Sequence, residues 1–122
     1  KARPRLGKYS TYTAEKTRAY EELVRYTFKN QCKGVEPLEG AIEAKITAVF
    51  EVPKSYSKKK REELLENKVH TIKPDTDNIA KIVLDSLNGL AFKDDSQVTQ
   101  LIVSKMYGEQ EKVIVELDNF FK

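Results

Sequence analysis

Residues 41–52 alternate between apolar and polar side chains, which is the period of a β-strand with one buried face. A strand of this kind needs neighbouring strands for its backbone and a second layer of structure over its apolar face. The alternation therefore predicts a sheet that is covered on one side. The inward set is Ile42, Ala44, Ile46, Ala48 and Phe50, and the outward set begins with Glu43, Lys45 and Thr47.

Helical spacing supplies the covering layer. Residues 14–30 have apolar side chains at helical intervals, with Thr13 as the predicted N-cap and a loop over residues 3–13 before it. A short charged helix is predicted from Ser57, as its cap, to about Asn67. Residues 76–88 form the clearest predicted helix, and the dipeptide that follows Leu87 is a typical helix-ending signal. Its apolar face is Ile79, Ala80, Val83, Leu84 and Leu87, and the stop signal is Asn88-Gly89.

Residues 98–120 contain two further strand patterns joined at residues 108–111, which we interpret as a β-hairpin. The order is then helix, strand, short helix, helix, strand, strand. This order predicts an α+β fold of two layers, in which helices pack on one face of a mixed β-sheet. A length of 122 residues favours one domain over residues 1–122.

Composition excludes several classes of protein. The chain is 39% hydrophobic and 34% charged, which is typical of a globular domain, and no apolar run approaches the ~20 residues of a membrane helix. Cys32 is alone, so no intramolecular disulfide can form, and we expect a cytoplasmic protein. A single cysteine and a single histidine, His70, cannot build a zinc finger. We expect neither residue to have a catalytic role.

Acidic residues bracket the predicted helix at 76–88. Asp75 and Asp77 open it, and Asp94 and Asp95 lie in the loop after it. A helix of this length spans ~20 Å, so the two pairs can meet only if the true helix is shorter or if residues 89–94 run extended back along it. If they meet, the carboxylates need a cation to offset their repulsion, and Mg²⁺ or Mn²⁺ suits oxygen ligands best. Lys81, one turn after Asp77, would then reach a scissile phosphate.

Each of these residues also has a plain structural interpretation. An Asp at a helix N-terminus usually caps the helix or interacts with its dipole. Adjacent aspartates are ordinary in loops, and Lys81 is suitably spaced for ion pairs with Asp77 and Asp85. It is the combination of acidic pairs and lysine that indicates a metal site.

Positive charge is concentrated at the start of the chain. Residues 1–33 carry nine Lys and Arg against three Glu, a net +6, whereas residues 71–122 have a net charge of −3. A basic segment beside an acidic cluster favours a protein that holds a polyanion and a metal ion, although a solvated surface remains open. The candidate DNA-backbone contacts are Arg3, Arg5 and Lys8.

Three stretches together carry a family resemblance. They read DTDNIAKIVLDSL, NGLAFKD and DSQV, and they resemble the RusA family of Holliday-junction resolvases. The family signature is D-x-D-N, a Lys one turn later, an Asp after four more residues, and D-D-x-Q before a strand. The RPR of residues 3–5 also resembles the family's N-terminal region, ahead of which the family has a strand. The matching positions are Asp75, Asp77, Asn78, Lys81, Asp85, Asp94, Asp95 and Gln97.

The resemblance implies a Mg²⁺-dependent endonuclease that acts as a homodimer and nicks two symmetric strands of a four-way DNA junction, in recombination and repair and in a phage or prophage setting. It implies that Asp75, Asp77 and Asp95 are the essential acidic residues, that Lys81 is the catalytic lysine, and that Asp94 is a further metal ligand. A two-fold dimer also suits the near two-fold symmetry of such a junction.

Two other classes of function stay open on the sequence. One is a DNA-binding module without catalysis, in which the acidic residues are structural. The other is a cation- or partner-binding domain that does not bind nucleic acid. Retention of every acidic signature residue together with Lys81 argues against the first, and the basic segment at residues 1–33 argues against the second.

Overall fold

A computed structural model describes the backbone of residues 8–120 and the side chains of residues 18–120. Within this part the elements are three helices, one short 3₁₀ helix and three strands. The helices are α1 (Lys8–Gln31), α2 (Lys58–Asn67) and α3 (Thr76–Leu87), with the 3₁₀ helix η1 at Asp95–Gln97. The strands are β1 (Ile42–Glu51), β2 (Val98–Gly108) and β3 (Lys112–Asn119).

The sheet is mixed, in the order β2-β1-β3. β1 pairs parallel with β2 and antiparallel with β3, so the register places Ile46 between Val103 and Val115 on one face. That face meets the helices. The core comprises Ile42, Ala44, Ile46 and Ala48 of β1, Ile79, Val83, Leu84 and Leu87 of α3, and Ala91 and Phe92, with Tyr20, Val24 and Phe28 of α1 packed against it. The predicted α+β fold with a mixed sheet is confirmed.

The predicted hairpin is wrong. β2 and β3 follow each other in the chain, but they lie on opposite sides of β1. Residues 109–111 cross the end of β1, a span of two strand spacings, or about 10 Å. The crossing is close, because a Cβ at Gly108 would lie 2.5 Å from a Val49 methyl. β1 is the central strand, and its inward side chains are accordingly the most fully buried of the three strands.

The predicted start of the first helix is also wrong. α1 begins at Lys8, so residues 8–13 are helical and Thr13 lies inside the helix instead of capping it. Ser and Thr cost a helix less than about 0.7 kcal/mol each, and residues 8–33 contain no Gly or Pro to break it. The other predicted boundaries are confirmed: Ser57 caps α2, and Gly89, with φ 80°, follows the end of α3.

None of the helices in the described part of the chain is long and apolar enough to cross a membrane.

Candidate nuclease site

The end of β2 holds the chain segment that leads into α3. The Tyr107 amide donates to the Lys68 carbonyl at 3.1 Å, and a β-bridge joins Val69 to Met106. Further along, the segment has no strand or helix, and a side chain from β2 takes over. Lys105 Nζ donates to the carbonyl oxygens of Ile72 at 2.6 Å and Pro74 at 2.9 Å. The chain therefore reaches Asp75 along a backbone that is fixed to the sheet.

Asp75 occupies the N-cap position of α3 but does not cap it. Its backbone is extended, yet its side chain makes no capping hydrogen bond. The described contact of its carboxylate is Lys73 Nζ at 3.5 Å, in a pair whose side chains are 87% and 60% exposed. The interpretation of Asp75 as a residue that caps α3 through its side chain is therefore not supported by the structure. The carboxylate is left available to a ligand.

Asp77 and Lys81 project from the exposed side of α3. Asp77 Oδ1 accepts a hydrogen bond from the Asn78 amide at 3.0 Å, and its charge lies in the first turn, where the helix dipole favours an anion. Among the described side chains, Lys81 forms no ion pair with Asp77 or Asp85. The ion-pair interpretation of Lys81 is thus not observed, and its side chain is exposed.

The chain turns sharply where α3 ends. The Gly89 amide donates to the Phe92 carbonyl at 2.8 Å, and Asn88 bridges to Phe92. The expected extended run of residues 89–94 along the helix is therefore wrong, because four of these residues are used in the turn. Only residues 93–95 remain to run back along α3 toward Asp75. Three extended residues span at most about 10 Å, whereas the 12 residues of α3 span ~18 Å.

Asp94 has a structural role. Its carboxylate accepts a hydrogen bond from the Ser96 amide at 2.9 Å and caps η1. Hydrogen bonds from the side chain and the backbone of Ser96 hold the pKa of Asp94 below its usual range. Gln97 completes a capping box, since its Oε1 accepts from the amides of Lys93 at 2.9 Å and Asp94 at 3.0 Å. Its Nε2 donates to the carbonyls of Leu38 and Gly40, both at 3.0 Å.

Asp95 is the first residue of η1, and its side chain is half-buried. Its carboxylate has no hydrogen-bond or ion-pair partner among the side chains that the structure describes, which separates it from the engaged Asp94. The signature D-D-x-Q thus has two anchoring residues around one free carboxylate.

The acidic residues form two groups rather than one. Asp75 and Asp77 lie at the N-terminal end of α3, and Asp94 and Asp95 follow the turn at its other end. Over the described residues, no three or more His, Cys, Asp and Glu side chains are arranged to hold a metal ion. The expected meeting of all these carboxylates in one pocket is not present in a single chain.

The predicted DNA-binding residues are outside this description. Arg3 and Arg5 lie beyond the described residues, and Lys8 is described only as the backbone start of α1. Their role stays a prediction.

Sequence reasoning missed Lys105 and the surroundings of His70. The signal for Lys105 was present, because a lone lysine occupies an inward position of β2 between Val103 and Tyr107. His70 is buried, with its ring 4.1 Å from Phe50 and 4.7 Å from Tyr107 between centroids. Burial, and secondarily the charge of Lys105, lowers the pKa of His70. No short sequence motif predicts this packing of His70 against two aromatic rings.

Comparisons with known proteins identify the family of this chain. The chain belongs to the family described as endodeoxyribonuclease RusA, whose model matches residues 1–118. The family is one of DNA-cleaving enzymes, and membership implies Holliday-junction resolution and binding of branched DNA. The chain is also 36% identical over 114 residues to the uncharacterized protein YqaN of Bacillus subtilis (strain 168), covering 91% of this chain and 80% of that relative.

Proposed function

We propose that this protein is a Mg²⁺-dependent endonuclease that resolves four-way DNA junctions by paired, symmetric nicks. The observation that carries the proposal is the carboxylate of Asp75. It stands at a helix start, where an aspartate normally caps, yet it makes no capping hydrogen bond and lies two residues from the exposed Asp77. A structural aspartate at this position would be expected to use its oxygens on the helix amides.

The donor set fits a hard divalent cation. Mg²⁺ binds carboxylate oxygen and usually takes only one or two protein carboxylates, so Asp75 and Asp77 suffice to hold it. Mn²⁺ has the same ligand preference. When bound, the ion supplies Lewis acidity and a water of lowered pKa for phosphodiester hydrolysis. Lys81, one turn further along α3, places a positive charge that offsets the charge developing on the phosphate.

Asp95 enters this site from a second subunit. In one chain, residues 93–95 are too short to return along α3 to Asp75. A two-fold homodimer overcomes this separation, since it repeats both ends of α3 about one axis and allows Asp95 of one subunit to meet Asp75 and Asp77 of the other. Asp94 is used on the Ser96 amide, so we assign it a supporting role.

A mixing experiment tests the shared site. Asp75→Asn and Asp95→Asn are each expected to be inactive alone. Refolded together, they form mixed dimers in which one of the two sites has both carboxylates, so nicking of one strand should return. A mixture that stays as inactive as either variant would overturn the shared site, while leaving the nuclease assignment standing.

The nuclease assignment is tested on a labelled synthetic four-way junction, with and without Mg²⁺. Asp77→Asn keeps the size of the side chain and removes its charge, so nicking should be lost while junction binding survives or tightens. Lys81→Ala should also lose nicking but bind Mg²⁺ as the parent does. Asp85→Asn is the matched control, because it lies on the same helical stripe and should reduce nicking least. Nicking by Asp77→Asn at near the parent rate would refute the metal-site assignment.

The basic segment has its own test. Replacing Arg3, Arg5 and Lys8 together with Ala should weaken binding to all DNA sequences alike. Loss of three phosphate contacts should reduce the slope of log affinity against log salt by about 2.7. An unchanged slope would mean that these side chains are only solvated.

One observation favours the alternative of a DNA-binding module without catalysis. No ready-made metal cluster of three or more acidic side chains occurs in the described part of one chain. Binding of the junction without Mg²⁺-dependent nicks would select this alternative over the endonuclease.

A further inference from the structure

We propose that Lys105 is a positioning residue of the nuclease site, which holds the backbone ahead of Asp75 in the geometry that a metal ion requires. This inference rests on the proposed function, because it assigns Asp75 to the metal. Lys105 itself touches backbone oxygens and no reacting group.

The contact is strong for a surface loop. Lys105 Nζ lies 2.6 Å from the Ile72 carbonyl and 2.9 Å from the Pro74 carbonyl, which are distances of charge-assisted hydrogen bonds. The loop has little else to fix it. Ile72 is 54% exposed, and residues 71–75 belong to no helix or strand. One ammonium therefore joins two carbonyls of a loop to a paired strand of the sheet.

The bond to Pro74 bears directly on Asp75. The Pro74 carbonyl and the Asp75 amide belong to the same planar peptide unit, so a hydrogen bond to that oxygen fixes the plane from which Asp75 extends. The Asp75 carboxylate has no capping bond of its own to orient it. Its described contact is the long, exposed pair with Lys73 at 3.5 Å, so its direction depends mainly on the backbone that Lys105 holds.

The position of Lys105 on β2 also points to this role. Its register partner is Ala48, and it shares the helix-covered side of the sheet with Val103 and Tyr107. A charged side chain at such a position is costly unless its donors are used. Methionine would fill similar space without donating, so the ammonium is explained by the two carbonyls.

Partners that orient the ligands of a metal site are worth about 10- to 100-fold in metal affinity or activity when removed. Lys105→Met should therefore raise the Mg²⁺ concentration for half-maximal nicking by about 10-fold, with the rate at saturating Mg²⁺ within about 2-fold of the parent. Lys105→Arg keeps the charge and the donors, so it should recover most of the loss. A purely structural defect would lower the rate at every Mg²⁺ concentration.

The matched control is Lys45→Met, on the exposed outer side of β1. A second readout needs neither metal nor activity: hydrogen exchange of the amides in residues 71–77 without Mg²⁺. Lys105→Met should speed this exchange, while Lys45→Met leaves it at the parent rate. If the parent does not nick, the proposed function fails and the exchange experiment still judges the anchoring.

Two results would overturn the inference. One is an Mg²⁺ dependence and an exchange rate for Lys105→Met that match those of Lys45→Met. The second concerns the case in which Lys105→Met does not fold, where mild acylation of the two lysines in the parent protein is measured instead. An ammonium bound to two carbonyls should react much more slowly than the ammonium of Lys45. Equal acylation of the two lysines would overturn the anchoring.

Discussion

Gln97 makes more hydrogen bonds than any other side chain in the described part of the chain, and none of them is to a catalytic group. Its amide oxygen accepts from the backbone of Lys93 and Asp94, and its amide nitrogen donates to the carbonyls of Leu38 and Gly40. It therefore ties the loop that carries the acidic pair to the approach to β1. We predict that Gln97→Ala destabilises the fold.

The magnitude follows from the four contacts. A typical hydrogen bond contributes about 0.5–1.5 kcal/mol net, and three of these four are exposed, so the lower end applies. Gln97→Ala should then lower the free energy of unfolding by about 2 kcal/mol. Gln97→Glu keeps the acceptor but loses both donated bonds and places a carboxylate against two carbonyl oxygens. It should cost at least half as much.

Urea unfolding measures this directly, with Gln100→Ala as the control because Gln100 is exposed on β2. The control should lie within about 0.5 kcal/mol of the parent. If Gln97→Ala also lies within that margin, the four contacts do not stabilise the loop, and the signature Gln needs another explanation.

Three further predictions concern single positions. Asp75→Asn should change stability by well under the ~1 kcal/mol of a lost N-cap, because Asp75 makes no capping bond, whereas Ser57→Ala should cost about that amount; urea unfolding of both variants decides. The folded-state pKa of His70 lies below its unfolded value of 6.5, because of its burial and then of Lys105. The unfolded chain therefore binds more protons as the pH falls, so the free energy of unfolding should decrease from about pH 7.5 to about pH 5.5, and His70→Phe should reduce that slope in urea unfolding at the two pH values. Gly108→Ala should destabilise by about 1–3 kcal/mol, since its Cβ would lie 2.5 Å from a methyl group of β1; a thermal unfolding midpoint equal to that of the parent would contradict the close crossing.

Periodicity predicted β1, α2 and α3 to within a residue or two, because each buries one face in a regular pattern. It could not predict which strands pair. Residues 98–108 and 112–119 look like a hairpin along the chain, but each pairs with a different edge of β1, which lies between them. The early start of α1 was missed for a different reason, since polar residues of middling helix propensity do not mark where a helix begins.

The sequence predicts the candidate site as a set of residues, and it does not predict the contacts that these residues make. The motif identified Asp94, Asp95 and Gln97 together, but their roles differ through contacts that spacing does not encode. The Asp94 carboxylate accepts a hydrogen bond from a backbone amide, and the Gln97 side chain hydrogen-bonds to four backbone groups. The Asp95 carboxylate has no such partner among the described residues. The return of the loop was likewise misjudged, because the bond between Gly89 and Phe92 is a tertiary detail of one turn.

β2 fixes both ends of the proposed site. Its first residue, Val98, directly follows the anchored loop of Asp95, and Lys105 near its other end holds the backbone before Asp75. Seven residues of strand separate these two points, or about 23 Å at ~3.3 Å per residue. A paired strand does not shorten, so the segment before Asp75 and the loop of Asp95 are anchored at two separate points of the sheet. In the proposed homodimer, one subunit would supply Asp75 and Asp77 from one end of its sheet, and the other subunit would supply Asp95 from the opposite end of its own.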